Sequence, residues 1–212
     1  MIVVGLTGSI AMGKSTIGAM MRGMNIPVHE ADHEVHALLK PDGGAYQAVV
    51  AAFPYFEYPN IYDRKTKLLK RKELGNLVFY DGAHRQTLES ILHPLVRQAQ
   101  DVFIRSFGLK GADMVCLDIP LLFETGAEKR VDYTVVVSAP YHLQRARVLE
   151  RPGMSEKKFH AILERQMPDK EKCLHADYVI KTGLGRAYAM KELKSVIEKI
   201  HEDHKNCLNS KG

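Results

Sequence analysis

The stretch Ile2–Thr16, IVVGLTGSIAMGKST, constrains this chain more than any other. Ile2–Leu6 is a short apolar run rich in β-branched residues, the pattern of a buried strand. Gly8, Gly13, Lys14 and Ser15 then complete Gly-x-x-x-x-Gly-Lys-Ser, and Lys14–Arg22 reads as a helix opening behind it. Strand, glycine loop and helix in that order are the context in which this pattern, Walker A, cradles phosphate. Gly8 and Gly13 permit backbone angles that a side chain forbids. The loop amides, through Ala11, Met12, Gly13, Lys14, Ser15 and Thr16, can then curl around phosphate oxygens. The new helix adds the positive end of its dipole. Lys14 is expected between the β- and γ-phosphates of a nucleotide, and the Ser15 hydroxyl is a hard oxygen ligand suited to Mg²⁺. The alternative is a glycine turn with a solvated lysine.

At 212 residues the chain has room for one α/β domain with insertions, or a domain with a small appendage. A hydrophobic content of 45% suffices for a core. The apolar runs are short and interrupted, as at Asp118 in MVCLDIPLLF, which excludes a membrane span. With a first strand expected from Ile2, no leader is expected. The three cysteines, Cys116, Cys173 and Cys207, are scattered and odd in number, with neither zinc nor disulfide spacing. The expected compartment is a reducing cytoplasm. A net charge of +5 suits an anionic partner without choosing among nucleotide, phosphorylated metabolite and nucleic acid.

Behind the first helix, Ile26–His29 reads as a second strand, and a helix with Val35, Leu38 and Leu39 as its apolar face follows. Such alternation predicts a parallel sheet with right-handed crossovers, whose ligands lie beyond the carboxyl ends of the strands. Asp32 stands at such an end. By position it caps the next helix, or it faces the γ-phosphate, accepting a substrate proton or holding Mg²⁺ through water. His29, His33 and His36 have helical spacing, but His29 belongs to the strand end, and the set reads as surface or cap histidines rather than a metal site.

Pro41-Asp42-Gly43-Gly44 breaks the pattern. Phe53, Tyr55, Phe56, Tyr58 and Tyr62 then interleave with prolines ahead of a basic run from Arg64 to Lys72. That composition suits nucleic acid, but also an aromatic loop packed on an insertion or a small-molecule site, and the latter readings are preferred. Asp81–Phe107 is helical, with Pro94 expected to break or kink it just after His93. Met114–Ile119 and Tyr133–Val137 are further strands, and Asp177–Ile180 is the last, ahead of an amphipathic helix over 185–205. Residues 141–172 read as two charged helices flanking Pro152-Gly153. Gln144, Arg147 and Arg151 share one helical face. An arginine-lined mobile segment fits a lid over a triphosphate; a solvated helix with local ion pairs fits the same spacing.

Taken in order, these residues resemble the dephospho-CoA kinase family along nearly the whole chain. The matching segments are GLTGSIAMGKST at 5–16, PVHEAD at 27–32, LGNLVF at 74–79, LESILHPLV at 88–96 and PLLFE at 120–124, followed by Gln144, Arg147 and Arg151, Arg165-Gln166, and ADYVI at 176–180. The HPLV and PLLxE segments, in order behind the Walker A pattern, carry the specificity. The resemblance implies an α/β fold: a P-loop NTPase-type parallel sheet flanked by helices, with a helical substrate-binding insertion and a helical lid. It places the core at about 1–32, 111–140 and 176–205, the CoA-binding insertion at about 33–110, the lid at about 141–172 and a polar tail at 206–212. It implies Mg-ATP phosphorylation of the ribose 3′-hydroxyl of dephospho-CoA, giving CoA and ADP, the last step of CoA biosynthesis.

Carried over residue by residue, the resemblance makes Asp32 the base, with Lys14 and Arg147 completing the catalytic set and Arg147 and Arg151 reaching ATP from the lid. His93, Leu121, Leu122 and Glu124 fall where the family lines the acceptor site. Mg²⁺ falls to Ser15, with Asp32 through water. Two positions depart from the pattern. Glu30-x-Asp32 replaces the common Asp-x-Asp, and Lys181-Thr182-Gly183 stands where the family often has an Asn near glycine, one residue shorter, so that the adenine contact passes to Thr182 or to backbone. The expected partners are ATP and dephospho-CoA, with no nucleic acid and no membrane; oligomeric state is left open. Rivals are another small-molecule or nucleoside monophosphate kinase, which shares core and lid, and a nucleotide switch or nucleic-acid-binding NTPase. Against the switch, the chain has no Asp-x-x-Gly and no Asn-Lys-x-Asp.

Overall fold

The computed structural model describes Met1–Asn209, the side chain of Leu208 excepted. Five strands, β1 (Ile2–Thr7), β2 (Val28–Glu30), β3 (Met114–Asp118), β4 (Tyr133–Ser138) and β5 (Tyr178–Lys181), form one parallel sheet in the order β2-β3-β1-β4-β5. β3 is buried along its whole length and β1 and β4 nearly so. That is why these strands read as continuous apolar runs rather than alternating ones: a parallel sheet is covered on both faces. Ile2, Val4, Leu6, Val135, Val137 and Ile180 pack with Ile17, Met21, Leu193 and Ile200 into one core.

Nine helices accompany the sheet among the described residues: α1 (Lys14–Gly23), α2 (Ala31–Leu38), α3 (Tyr46–Ala52), α4 (Arg71–Tyr80), α5 (Gly82–Leu109), α6 (Tyr141–Leu149), α7 (Glu156–Leu163), α8 (Asp169–His175) and α9 (Arg186–Asn209). The second strand starts later than its β-branched residues suggest. Ile26 N–H bonds Met21 O at 3.0 Å, closing the end of α1, and the ladder begins with Cys116 N–H on Pro27 O at 2.8 Å. Pro94 does not break α5, which runs unbroken through it. One missing N–H forfeits one helical bond, and Leu88, Leu92 and Val96 are buried on both sides of it. The segment 141–175 holds three helices rather than two, because Pro168 starts a further one at Asp169. α9 continues to Asn209, past the expected end at 205; the remainder of the expected polar tail, 210–212, lies outside the described residues. No described helix is long and apolar enough to cross a membrane.

The chain divides into two units: residues 1–30 with those from 104 onward, which hold the sheet, and residues 31–103. The second unit has its own core, in which Phe53, Ile61, Tyr62, Leu74, Leu88 and Leu92 are buried together. The Tyr62 hydroxyl donates to Phe53 O at 2.5 Å. Two aromatics of the basic–aromatic stretch therefore serve this core, while Phe56 stays 79% exposed.

Candidate active site

β1 delivers the glycine loop at the carboxyl edge of the sheet, between Thr7 and the first turn of α1. Ala11 takes φ +59° and Gly13 φ +98°. Gly8 has a different reason to be glycine: a Cβ there would lie 2.6 Å from Val137 O, a backbone atom that cannot step aside. Three successive carbonyls of the loop are held from outside it. Gln144 Nε2 donates to Ile10 O at 2.9 Å, Arg147 Nη1 to Ala11 O at 3.4 Å, and Thr182 Oγ1 to Met12 O at 2.5 Å. Ile10 N–H in turn bonds Gln166 Oε1 at 3.0 Å. Of the expected ATP-site residues, the structure thus brings together 8–16, Arg147 and Thr182, and adds Gln144 and Gln166. Arg151 is exposed beyond the end of α6, where its backbone closes the turn to Met154. The Met12 side chain points into the core, its sulfur accepting Ala139 N–H at 3.1 Å.

The Lys14 ammonium is ion-paired with Asp118, whose side chain is 7% exposed. Asp118 was passed over in the sequence as a mere interruption of an apolar run. The available signal was its place: an apolar strand ending in an acid, in register with Leu6 beside the glycine loop. That is where nucleoside-triphosphate enzymes with this loop hold Mg²⁺. Beneath the pair lies Cys116, fully buried; burial, with the Asp118 charge adding to it, pushes its thiol up, so it remains a neutral core side chain. Glu30 is paired with Arg22. Ser15 and Thr16 occupy the first turn of α1.

Behind β3, the segment 120–124 is tied to the helices that follow β4. Lys172, fully buried, reaches Glu124 at 2.9 Å and Pro120 O at 3.2 Å, and Glu124 also accepts Met167 N–H at 2.8 Å. Thr7 Oγ1 donates to Pro120 O at 3.1 Å, joining β1 to the same turn. Leu122 is fully buried over Gly5, so its side chain packs the core instead of lining an acceptor surface; Glu124 is engaged with Lys172, and Leu121 is half-buried. Breaking a buried pair strands its partner. Lys172→Met should therefore cost about 3 kcal/mol of stability in urea unfolding; a loss below about 1 kcal/mol would mean that Glu124 simply rehydrates. Asp169 accepts Ser138 Oγ at 2.6 Å, and burial raises its carboxyl against that bond and the charge of Lys172.

In the second unit, Asp32 is the second residue of α2 and exposed. It stands inside the helix rather than before it, which weighs against the N-cap reading. His36 lies one turn on; burial and Arg71 lower its pKa while Asp32 opposes them. A cavity of about 360 Å³ opens here, walled by Leu39, Leu74 and Leu92 and edged by His36, Arg71 and Lys72. His93 is half-buried on α5 beside Leu92. Among the described residues no three His, Cys, Asp or Glu side chains converge as a metal site.

The family model described as dephospho-CoA kinase matches residues 2–185. The dephospho-CoA kinase of Mesorhizobium japonicum is 46% identical over 200 residues, covering 94% of this chain and 97% of that one. That of Rhodospirillum rubrum is 47% identical over 193 residues, with 91% and 89% covered. Among solved structures, a Thermus thermophilus protein superposes with a TM-score of 0.78 at 31% identity, covering 93% of this chain and 97% of its own. Dephospho-CoA kinase from Campylobacter jejuni does so with 0.67 at 26%, covering 95% and 98%.

Proposed function

The chain belongs to the dephospho-CoA kinase family, and we propose that its ATP site is the loop 8–16 with Lys14, Ser15, Asp118 and Arg147, and that Asp32 is its base. The enzyme transfers a phosphoryl group from ATP to the ribose 3′-hydroxyl of dephospho-CoA, giving CoA and ADP, the last step of CoA biosynthesis. The observation that carries the site assignment is the Lys14–Asp118 pair beside a loop whose carbonyls are held outward. A cation and an acid at one strand edge are the two groups that a triphosphate and its metal need.

In the proposed mechanism the loop amides hold the phosphates and Lys14 leaves Asp118 to bridge the β- and γ-oxygens. The donor set fits Mg²⁺: the Ser15 hydroxyl and the Asp118 carboxylate are hard oxygen ligands that would hold it. Bound there, Mg²⁺ supplies charge neutralisation at the β- and γ-phosphates. Asp118 takes over the role first given to Asp32 through water. Asp32 accepts the proton of the 3′-hydroxyl, placing the oxygen for in-line attack. Support for that role is its position two residues beyond β2, at the edge where ligands of parallel sheets lie. Arg147, docked on Ala11 O and Thr182, brings positive charge to the loop as charge shifts in the transition state. The cavity edged by Arg71, Lys72 and His36 is assigned to the acceptor, its apolar wall suiting an uncharged arm and its cations a diphosphate. The proposed compartment is the cytoplasm.

The test is a mass spectrum of products from dephospho-CoA and ATP, with Mg²⁺ or with chelator. The expected result is one added phosphate with matching ADP, lost on chelation. ADP without the mass shift would move the reading to another acceptor; turnover unaffected by chelator would remove the metal from it.

A further inference from the structure

The sequence leaves the adenine contact to Thr182 or to backbone, and the Thr182 hydroxyl is committed elsewhere. Its N–H bonds Ser138 O at 2.9 Å, extending the β4–β5 ladder one residue past β5, so the sheet fixes where it stands. From there its hydroxyl donates to Met12 O at 2.5 Å and accepts Arg147 Nη1 at 3.3 Å, and its carbonyl accepts Arg147 Nη2 at 3.0 Å. The same side chain closes on Gly13, where a Cβ would stand 3.1 Å from Thr182 Oγ1 and 3.3 Å from Thr182 Cβ. Its single proton and an acceptor site are both used, and the residue is 7% exposed.

The consequence follows from peptide geometry. In a trans peptide the carbonyl of one residue and the N–H of the next point in opposite directions, and the described chain has no cis bond. Holding the carbonyls of Ile10, Ala11 and Met12 on Gln144, Arg147 and Thr182 therefore turns the N–H groups of Ala11, Met12 and Gly13 to the other side. Met12 N–H is taken up by Ser9 O at 3.2 Å, closing a turn. The Ala11 and Gly13 amides are left as anion donors. Gln144 sets the first of these and Thr182 the second, and Thr182 also holds Arg147 on the carbonyl between them.

We propose that Thr182 is a positioning residue for the ATP site: it aims the Gly13 amide and docks Arg147 on the loop, without itself touching the nucleotide. This rests on the glycine loop being the ATP site. The decisive variant is Thr182→Val, which keeps the shape of the side chain and loses the hydrogen bonds of the hydroxyl. It should raise KM for ATP about tenfold, the scale of one hydrogen bond, with KM for dephospho-CoA within about twofold. Thr182→Ser, which keeps the hydroxyl, should return KM for ATP to within about threefold of wild type. Amide hydrogen exchange over residues 9–14 should quicken in the unliganded Val variant. A role confined to stability would lower the yield of active enzyme and leave both KM values alone; that pattern, a Ser variant as impaired as Val, or unaltered exchange would overturn the proposal. Should Val not fold, Thr182→Ala is judged by the same readouts. Lys14→Ala run in parallel separates the two ideas. If it binds ATP normally, the site reading falls; if it loses ATP while Thr182→Val does not, only the role of Thr182 falls.

Discussion

Asp32→Asn should leave ATP affinity within about twofold of wild type and lower kcat by about 100- to 10,000-fold, the range a positioned general base supplies. Asparagine matches aspartate in size and keeps an acceptor oxygen, so the geometry of the first turn of α2 survives. What it lacks is a basic site for the proton of the 3′-hydroxyl. Asp32 is exposed and belongs to no buried network that its loss would unpack, so thermal stability should be unchanged, and an effect on kcat is an effect on chemistry. Single-turnover rates beside ATP binding by calorimetry make the measurement. Unaltered turnover would remove Asp32 from the base role and leave positioning and phosphate electrostatics to carry the transfer. A rise in KM for dephospho-CoA at constant kcat would instead make it an acceptor-binding residue.

Lys14→Ala should lower kcat/KM for ATP by about 1,000-fold, the size of losing one preorganised charge aimed at developing charge. Stability should fall too, because Asp118, 7% exposed, is left without its cation. Activity must therefore be corrected for folded fraction. Asp118→Asn separates the two roles. It removes the carboxylate, frees Lys14, and should keep nucleotide binding without metal while raising the Mg²⁺ concentration for half-maximal rate about tenfold or more. Equal metal dependence in wild type and Asp118→Asn would return the metal to Ser15 and the phosphates alone. Normal ATP affinity and rate in Lys14→Ala would refute the glycine-loop assignment.

The strands and the loop were legible because their signals are local. A covered parallel strand is apolar throughout, and a loop that wraps phosphate favours glycine where φ turns positive. Gly13 at φ +98° is such a position. Gly8 is not: its reason is Val137 O on β4, far along the chain. Pro94 leaves α5 unbroken for the same kind of reason. A local rule for proline weighs one hydrogen bond, whereas α5 is held on both sides of it by Leu88, Leu92 and Val96.

By itself the sequence determined the order of elements, the position of the phosphate loop and its cation, the placement of Asp32 behind the second strand, and the family in which those segments occur together. These are written in contiguous residues, and backbone preference and hydrophobic period act over a few positions. Tertiary structure alone decided that Asp118 faces Lys14, that Leu122 is core, that Glu124 answers Lys172, and that the Thr182 hydroxyl holds the glycine loop. Each of those pairings joins residues from 48 to 170 positions apart. No local propensity reaches that far. Strand order and register bring such residues within hydrogen-bond range, and a polar group once buried must find its partner there.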